Sequence, residues 1–444
     1  MPSGRPLRAR CVLLGVAAVL VAFVATAAGA SKASIALEDS ANLSASAGQR
    51  SDRPRIAITG DGTLHVVWQE QDPNGAYDNV VHRYRPPGGE WSPPAALTIF
   101  RNGYDPAIAT DGGTVAVAFQ RGNSARGDRT SIYYALWSPV DRAWSRARPI
   151  EDGEANIGAD GQQPDLAFGT DGVLWLTWID TTYGYKQPTY ARIQGGVATG
   201  KAISEPSLNA QSPTIALDPE DNVHVAWTEQ SDLRDEAYIA HWVRPATGGD
   251  WYSDGTLHFL AARKARWPDI AATEGNLCLV WHEETTADNN EIVLECNDRR
   301  WNASNSEARS LVPSLALDDR QGPLVAWQER GAGTSPTRIL FRQGPPPPPV
   351  GEPVTDGPVD MPSVAYRGGY VHAAWSERRG TLTDVLYARW AVAAPTPTPT
   401  ATASRTPTVT PTATATPRFS PTPTATRPTP EALIYAPYAS RIKP

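Results

Sequence analysis

One pattern of apolar and polar positions recurs along the chain. A proline, an apolar residue and an alanine precede a polar turn, and a short apolar run ending in an aromatic residue follows. In the fourth copy the turn covers residues 218–222 and the run covers residues 223–227, which end at Trp227. Short β-rich runs bounded by turn residues predict strands, and helical periodicity is absent.

The pattern occurs seven times between residues 31 and 394. The prolines and terminal aromatics are Pro54 and Trp68, Pro106 and Phe119, Pro164 and Trp178, Pro213 and Trp227, Pro268 and Trp281, Pro313 and Trp327, and Pro362 and Trp375. Successive prolines are 45 to 58 residues apart, which leaves room for four short strands in each unit. A β-rich repeat of this length is typical of propeller blades. The sequence predicts an all-β, seven-bladed β-propeller over residues 31–394, with a six-bladed ring as the alternative.

The last unit lacks a fourth strand. It ends near Trp390, whereas Asn42, Leu43 and Ser44 lie upstream of the first proline much as residues 96–98 lie upstream of the second. We predict that this N-terminal strand completes the last blade and closes the ring, which removes open sheet edges.

The two ends of the chain differ from the repeat region. Residues 1–30 place basic residues before an apolar run that closes on small residues, as in a signal peptide; a retained N-terminal anchor is the alternative. Residues 395–430 are mostly Pro, Thr and Ala, which predicts a disordered, extended stalk. Residues 431–444 are a short tail, either a plain chain end or a surface-attachment tag. We expect a secreted or cell-surface protein with no transmembrane segment in its mature chain.

Cysteine placement and charge narrow the class further. Cys278 and Cys296 lie on two predicted neighbouring strands, in a register that places them opposite each other, so we predict a disulfide. The chain has 40 basic and 47 acidic residues and no basic stripe, so a nucleic-acid partner is not expected. No metal or cofactor is predicted, and the oligomeric state stays open.

An acidic residue follows the terminal aromatic by two positions in six units, and Arg121 takes this place in the second unit. Side chains alternate along a strand, so this position shares a face with the aromatic. We expect the acids to be structural, accepting hydrogen bonds from the backbone or an arginine; a cation-binding or catalytic carboxylate ring is the alternative. The six are Glu70, Asp180, Glu229, Glu283, Glu329 and Glu377.

Binding candidates come from the ends of the second strands and the loops after them. Tyrosines there offer aromatic platforms, and arginines can grip a carboxylate. The candidates are Arg121, Arg126, Tyr183, Tyr185, Arg330, Arg378 and Arg379. His65, His224 and His372 share one repeat position, and we predict that they are packing residues.

The repeated phrase Pro-x-Ile/Leu-Ala, followed by Asp-x-x-Gly and His-Val-Ala-Trp-x-Glu, resembles that of bacterial sialidase-like (BNR-type) propeller proteins. For true sialidases the resemblance implies a six-bladed ring with an arginine triad, a Tyr/Glu nucleophile pair and an aspartic acid/base. This chain has seven units, no Arg-Ile-Pro phrase in the first one and no Ser-x-Asp-x-Gly-x-Thr-Trp box. No catalytic residue is therefore carried over.

Three functions follow from these features. A rigid ring with variable loops favours a non-catalytic module that binds a glycan or another extracellular ligand. The alternatives are a sialidase-type glycoside hydrolase and a protein-binding adhesion scaffold.

Overall fold

The computed structural model describes residues 35–45, 48–98, 102–123, 127–152, 155–182, 184–204, 209–230, 236–253, 264–286, 289–320, 322–331, 337–343 and 358–392. The regular elements in these ranges are β-strands. They include no helix that is long and apolar enough to cross a membrane. The predicted signal peptide, stalk and tail lie outside the described residues.

The strands form antiparallel sheets that follow one another along the chain after β1 (Ile35–Asn42). Sheet 1 contains β2 (Ser51–Ile58), β3 (Leu64–Gln71), β4 (Asp78–Arg85) and β5 (Ala95–Ala96). Sheet 2 contains β6 (Gly103–Thr110), β7 (Val115–Arg121), β8 (Ser131–Ser138), β9 (Ala143–Trp144) and β10 (Arg148–Pro149). A separate two-stranded sheet contains β11 (Glu151–Asp152) and β12 (Ala155–Asn156).

The remaining sheets repeat this organisation. Sheet 3 contains β13 (Gly161–Phe168), β14 (Leu174–Asp180), β15 (Gln187–Gln194) and β16 (Val197–Ala202). Sheet 4 contains β17 (Ala210–Leu217), β18 (Val223–Gln230), β19 (Ala237–Arg244) and β20 (Tyr252–Ser253). Sheet 5 contains β21 (Ala265–Thr273), β22 (Asn276–Thr286), β23 (Asn289–Cys296) and β24 (Arg299–Asn302). Sheet 6 contains β25 (Arg309–Leu317), β26 (Pro323–Arg330) and β27 (Thr337–Gln343), and sheet 7 contains β28 (Val359–Arg367), β29 (Tyr370–Arg379), β30 (Leu382–Val392) and β1.

The first strands of the sheets surround a central channel. Contacts join β2 to β6, β6 to β13, β13 to β17, β17 to β21, β21 to β25, β25 to β28, and β28 back to β2. Buried apolar side chains fill the space between neighbouring sheets. The described chain is therefore an all-β propeller, as the repeat predicted.

The N-terminal strand completes sheet 7. Strand β1 pairs with β30 from Ile35 opposite Val392 to Asn42 opposite Leu386. This confirms the predicted pairing, although the strand begins at Ile35, seven residues before Asn42. The Leu43 amide continues the contact by donating to the Val385 carbonyl at 2.8 Å.

Leu43, which directly follows β1, also contacts sheet 1. We call this junction between sheet 7 and sheet 1 the seam. Its side chain is fully buried in a cluster with Trp68 of sheet 1 and Tyr387 of sheet 7. Its carbonyl accepts a hydrogen bond from Arg83 of β4 at 2.9 Å. One residue thus contacts the first and the last sheet of the ring.

Each of the seven first strands bulges at the residue before its proline. The pairing register shifts there, and the residue has a φ between +48° and +57°. This backbone conformation is unusual for a non-glycine residue and more so before proline. The residues are Arg53, Asp105, Gln163, Ser212, Trp267, Val312 and Met361, and all of them line the channel.

Side chains of one sheet satisfy the channel-side amides of the next. At four junctions between described sheets, the second residue after the proline donates its amide to a carboxylate or hydroxyl of the preceding sheet at 2.8 to 3.2 Å. The pairs are Ile215 to Asp165, Leu315 to Asp269, Val364 to Ser314, and Ile56 to Ser363. The last pair joins sheet 7 to sheet 1. We call this set the channel girdle.

The predicted disulfide is present. Cys278 and Cys296 are bonded and lie opposite each other in β22 and β23. The bond joins two neighbouring strands of sheet 5.

A leucine pair tests whether the seam carries stability. Leu43→Ala empties a fully buried site and should lower the free energy of unfolding by about 2–5 kcal/mol. Leu37→Ala in β1 is the control, because Leu37 is 61% exposed and its loss should cost at most about 0.5 kcal/mol. Urea denaturation of both variants measures the difference. Equal effects would contradict a stabilising seam.

Candidate functional site

The repeat acids bond to the tryptophan two residues before them. The indole Nε1 donates to the carboxylate of Glu70 at 3.0 Å, Glu229 at 2.9 Å, Glu283 at 3.3 Å and Glu377 at 3.5 Å. The sequence predicts backbone or arginine partners for these acids, and Arg379 does donate to Glu377 at 3.2 Å. The indole was missed. Each of these four carboxylates therefore accepts a hydrogen bond from its own strand.

Asp180 and Glu329 depart from this arrangement. Asp180 is one methylene shorter than glutamate, and it accepts hydrogen bonds from the amide and hydroxyl of Thr182 at 2.7 and 2.6 Å. The indole nitrogens of Trp178 and Trp327 are buried without a partner among the described residues. The terminal aromatic and the residue two positions after it thus share a face in every sheet. Whether an indole–carboxylate hydrogen bond forms there depends on side-chain length and local geometry.

Arg121 replaces the acid in the one unit whose aromatic is Phe119. Phenylalanine has no N–H to donate, so the donor and the acceptor are lost together. The Arg121 guanidinium donates to the Tyr133 hydroxyl at 2.8 Å, and its Cζ lies 5.3 Å from the centre of that ring. Arg121 lines a groove beside sheets 1 and 2 and is not among the residues that line the channel mouth.

The channel mouth is a polar concavity at the end where the first strands begin and the second strands end. A cavity of about 510 Å³ lies over sheets 6, 7 and 1, and another of about 450 Å³ lies over sheets 1, 2 and 3. Arg50, Asp52 and Arg53 line both. We call the two cavities together the mouth bowl.

Charged residues of the mouth bowl are partly paired with one another. Arg50 Nε lies 3.1 Å from Asp52, and Arg50 Nη2 lies 3.7 Å from Asp78. Arg53 pairs with Asp105 of the next sheet. Burial raises the pKa of Asp52, and the nearby Arg50 and Arg53 oppose that shift.

Two sequence candidates meet in this bowl. Arg330 at the end of β26 and Arg378 near the end of β29 line the same cavity, and both are exposed. Neither guanidinium has an ion pair or a hydrogen bond to another described residue. Within the described chain, these two groups are the ones available to an anion at the channel mouth.

The other candidates lie elsewhere. Arg379 is exposed and bonded to Glu377, and Tyr185 is 52% exposed in the loop after β14; neither lines the bowl. Arg126 and Tyr183 lie outside the described residues.

Arg50, Asp52 and Arg53 are not among the site residues predicted from the sequence. Their signal is a run of three charges within four residues directly before the first proline. The residue before each proline faces the channel, so a charge there marks the mouth of a propeller.

Deeper in the channel lie Arg55, Asp165 and Asp269. Burial raises the pKa of Asp165 to about 6, the neighbouring Asp269 adds to the shift, and Arg55 opposes it. Both carboxylates accept hydrogen bonds of the channel girdle. This group holds the strands together.

The repeat histidines are buried and paired. The nitrogens of His65 and His82 lie 3.1 Å apart, as do those of His224 and His241, and both pairs of rings stack. His372 lies 2.8 Å from the Tyr387 hydroxyl. The histidines lie between packed strands, and the described residues contain no group of three side chains able to hold a metal ion.

Comparison with known proteins finds no matching protein family and no curated protein with significant sequence similarity. Solved structures share the fold. A protein of unknown function from Dyadobacter fermentans is 11% identical, with a TM-score of 0.51 over 81% of this chain and 99% of that one. A PL25 ulvan lyase, solved bound to -[GlcA(1-4)Rha3S]-, is 11% identical, with a TM-score of 0.51 over 80% and 96%.

Sialidases are also among the structural neighbours. The Hadza microbial sialidase is 12% identical, with a TM-score of 0.47 over 75% of this chain and 73% of that one. At such identities the likeness shows the fold alone. The comparisons support a propeller and give no support for BNR repeats specifically.

Acid should destabilise the protein through its buried histidines. Burial lowers the pKa of His65 and His372 to about 4 and that of His241 to about 3, from 6.5 when exposed. The unfolded chain therefore takes up protons first as the pH falls below 6.5. As the pH falls, each histidine should lower the free energy of unfolding by about 1.4 kcal/mol per pH unit, until the pH reaches the pKa of that histidine in the folded state. Thermal melts from pH 7 to 4.5 measure the slope.

Asp165 provides the control for this pH effect. Burial raises its pKa, so the folded state binds a proton more readily than the unfolded state. Protonation of Asp165 therefore stabilises the folded protein as the pH falls. Asp165→Asn should therefore steepen the acid slope, and a His65→Gln/His82→Gln double variant should flatten it. Slopes identical to that of the parent in both would contradict the assignment.

The tryptophan–acid bond can be tested by comparing two sheets. Glu229→Ala leaves the buried Trp227 indole without this acceptor and should cost about 1–3 kcal/mol. Glu329→Ala should cost less, because the Trp327 indole makes no such bond. Urea denaturation gives both values. A larger loss for Glu329→Ala would contradict a scaffold role for the bond.

Proposed function

We propose that this chain is an extracellular, non-catalytic carbohydrate-binding propeller that holds a carboxylate-bearing sugar in the mouth bowl. The observation that carries the proposal is the pair Arg330 and Arg378. Both line one cavity, and neither has a side-chain partner among the described residues. Guanidinium groups bind carboxylates through paired, charge-assisted hydrogen bonds.

The rest of the bowl suits a hydroxylated ligand. Its second cavity is lined by amide and carboxylate side chains, including Gln120, Asn123 and Gln162. Such groups donate and accept hydrogen bonds, as sugar hydroxyls do. Both cavities have the volume of small-molecule sites. The sugar carboxylate would face Arg330 and Arg378, and its hydroxyls would face sheets 1 to 3.

Extracellular placement rests on three features. The disulfide between Cys278 and Cys296 suits an oxidising compartment. Residues 1–30 have the pattern of a signal peptide, and residues 395–430 that of a stalk. In this proposal the stalk holds the binding ring away from the surface that carries it.

We also propose that the seven sheets are seven blades of one ring. The cycle of contacts from β2 to β28 and back includes one strand of each sheet. Each of these strands has the same bulge before its proline. A six-bladed ring would exclude one sheet from the cycle, and a crystal structure viewed along the channel would decide the count.

A sialidase-type hydrolase is the second candidate function. Asp52 lines both cavities of the bowl, and burial raises its pKa. A carboxyl group with a raised pKa suits a general acid. Asp52 would protonate the leaving oxygen of a glycoside bound through Arg330 and Arg378, while the oxygen of a solvent water bonds to the anomeric carbon and loses its proton to solvent.

Calorimetric titration tests the binding proposal. The folded chain should bind glucuronate or N-acetylneuraminate more tightly than the neutral sugar galactose. Arg330→Gln and Arg378→Gln should each weaken the acidic sugar about tenfold. Arg379→Gln is the control and should bind like the parent, because Arg379 is adjacent in sequence but does not line the bowl. Equal binding of galactose, or no effect of the two substitutions, would contradict the proposal.

The hydrolase candidate predicts a reaction. Release of 4-methylumbelliferone from its sialoside, lost in Asp52→Asn but retained in Arg379→Gln, would establish it and would overturn the non-catalytic proposal. Binding of acidic sugars without release would support the binding module.

A further inference from the structure

A second concave site lies apart from the mouth bowl. It is a groove of about 480 Å³ lined by residues that follow β5 of sheet 1 and by residues of β7, β8 and β10 of sheet 2, and it shares no lining residue with either cavity of the bowl. Leu97 follows β5 of sheet 1, and Phe119, Tyr133 and Pro149 belong to sheet 2. We call it the Arg121 groove.

The floor of the groove is apolar. Leu97 is 8% exposed and Phe119 is 2% exposed, and the Phe119 and Tyr133 rings stack with their centres 6.1 Å apart. Leu97 and Phe119 belong to the apolar cluster between sheets 1 and 2, and Tyr133 packs against it. The groove therefore opens onto a rigid, packed surface. A concave apolar floor of this kind is typical of small-molecule sites.

The charge of the groove has one sign. Arg121, Arg146 and Arg148 line it, and none of its described lining residues is acidic. Arg121 is held in place by the Tyr133 hydroxyl at 2.8 Å, and the Arg148 Cζ lies 5.9 Å from the centre of the Tyr134 ring. The exposed guanidinium groups of Arg146 and Arg148 lie at the same groove and repel each other, and a bound anion relieves that repulsion.

We infer that the Arg121 groove is a second binding site, for a carboxylate attached to an aromatic or branched apolar group. The arginines select the carboxylate, since a guanidinium matches its geometry. Leu97 and Phe119 favour the apolar group, because they offer a sugar hydroxyl no hydrogen-bond partner, and the polar side chains of the lining are Thr98, Asn102 and Ser145 beside the arginines. This chemistry is found in small organic acids and in the C-terminal residue of a peptide.

The test uses 1-naphthoate as the probe, titrated against the full chain by calorimetry. Its neutral amide, 1-naphthamide, keeps the ring and removes the charge, and glucuronate keeps the charge and removes the apolar ring. We expect 1-naphthoate to bind at least about tenfold more tightly than either. A tripeptide ending in phenylalanine, compared with its amidated form, distinguishes a peptide C-terminus from a free acid as the source.

Three arginine variants assign the binding to the groove. Arg146→Gln and Arg148→Gln change exposed residues and should weaken 1-naphthoate about fivefold to tenfold without lowering the melting temperature. Arg142→Gln is the control, an exposed arginine in the turn between β8 and β9 that does not line the groove. Arg378→Gln in the bowl should also have no effect on this probe.

Several outcomes would overturn the inference. Equal affinity for 1-naphthamide would show that the arginines are not used, and equal affinity for glucuronate would show that the floor is not used. Unchanged binding in both Arg146→Gln and Arg148→Gln would place the probe elsewhere. Loss of naphthoate binding in Arg378→Gln would assign it to the mouth bowl.

Discussion

The free edge of each first strand is the constraint on which the structure depends. A first strand has a ladder partner on one side only, so the amides on its other edge point toward the channel and need acceptors. The chain solves this in two ways. Proline removes one donor from that edge, and side chains of the preceding sheet accept from others, as Asp165 does from Ile215. At the four junctions where such a bond is present, one sheet therefore supplies what the next one needs.

The same constraint explains why β1 is needed and why the channel carries charge. Ser363 of sheet 7 accepts from Ile56 of sheet 1, so the girdle passes through the seam that β1 closes on the outside. Where the acceptor is a carboxylate instead of a hydroxyl, a charge is buried, and the raised pKa of Asp165 records that cost. Arg55 partly offsets it. The channel charges are thus a consequence of satisfying backbone amides.

Features that depend on local alternation could be predicted from the sequence. The strands, the pairing of the two ends and the disulfide follow from period-two patterns and from the spacing of Cys278 and Cys296. The face shared by each tryptophan and its acid could be predicted as well. Their hydrogen bond could not, because it depends on side-chain length, as Asp180 shows, and on local geometry, since Glu329 has the full length and the Trp327 indole still has no partner among the described residues.

The residues of the candidate sites can also be divided into those that local sequence predicts and those that come together only in the folded ring. Arg330 and Arg378 could be named from the sequence because each lies at the end of a second strand. That Arg50, Asp52 and Arg53 join them could not be predicted, because these residues converge only when the ring closes and places sheet 1 beside sheet 7. Arg121 breaks the repeat in the sequence, and Phe119, which has no N–H to donate, accounts for that break within the strand. Its position in a groove is a property of two neighbouring sheets.

The scaffold also decides where a ligand can bind. The chain has a net charge of −7, yet its described concave sites carry arginines at their rims. Carboxylates accept hydrogen bonds from indoles in the sheets and from backbone amides in the channel, and they pair with Arg50 and Arg53 at the mouth. Acids engaged in this way offer little to a cation, whereas Arg330, Arg378, Arg146 and Arg148 face solvent. A propeller that is acidic overall therefore presents positive groups at its concave surfaces, because its own backbone and tryptophans have engaged the negative ones.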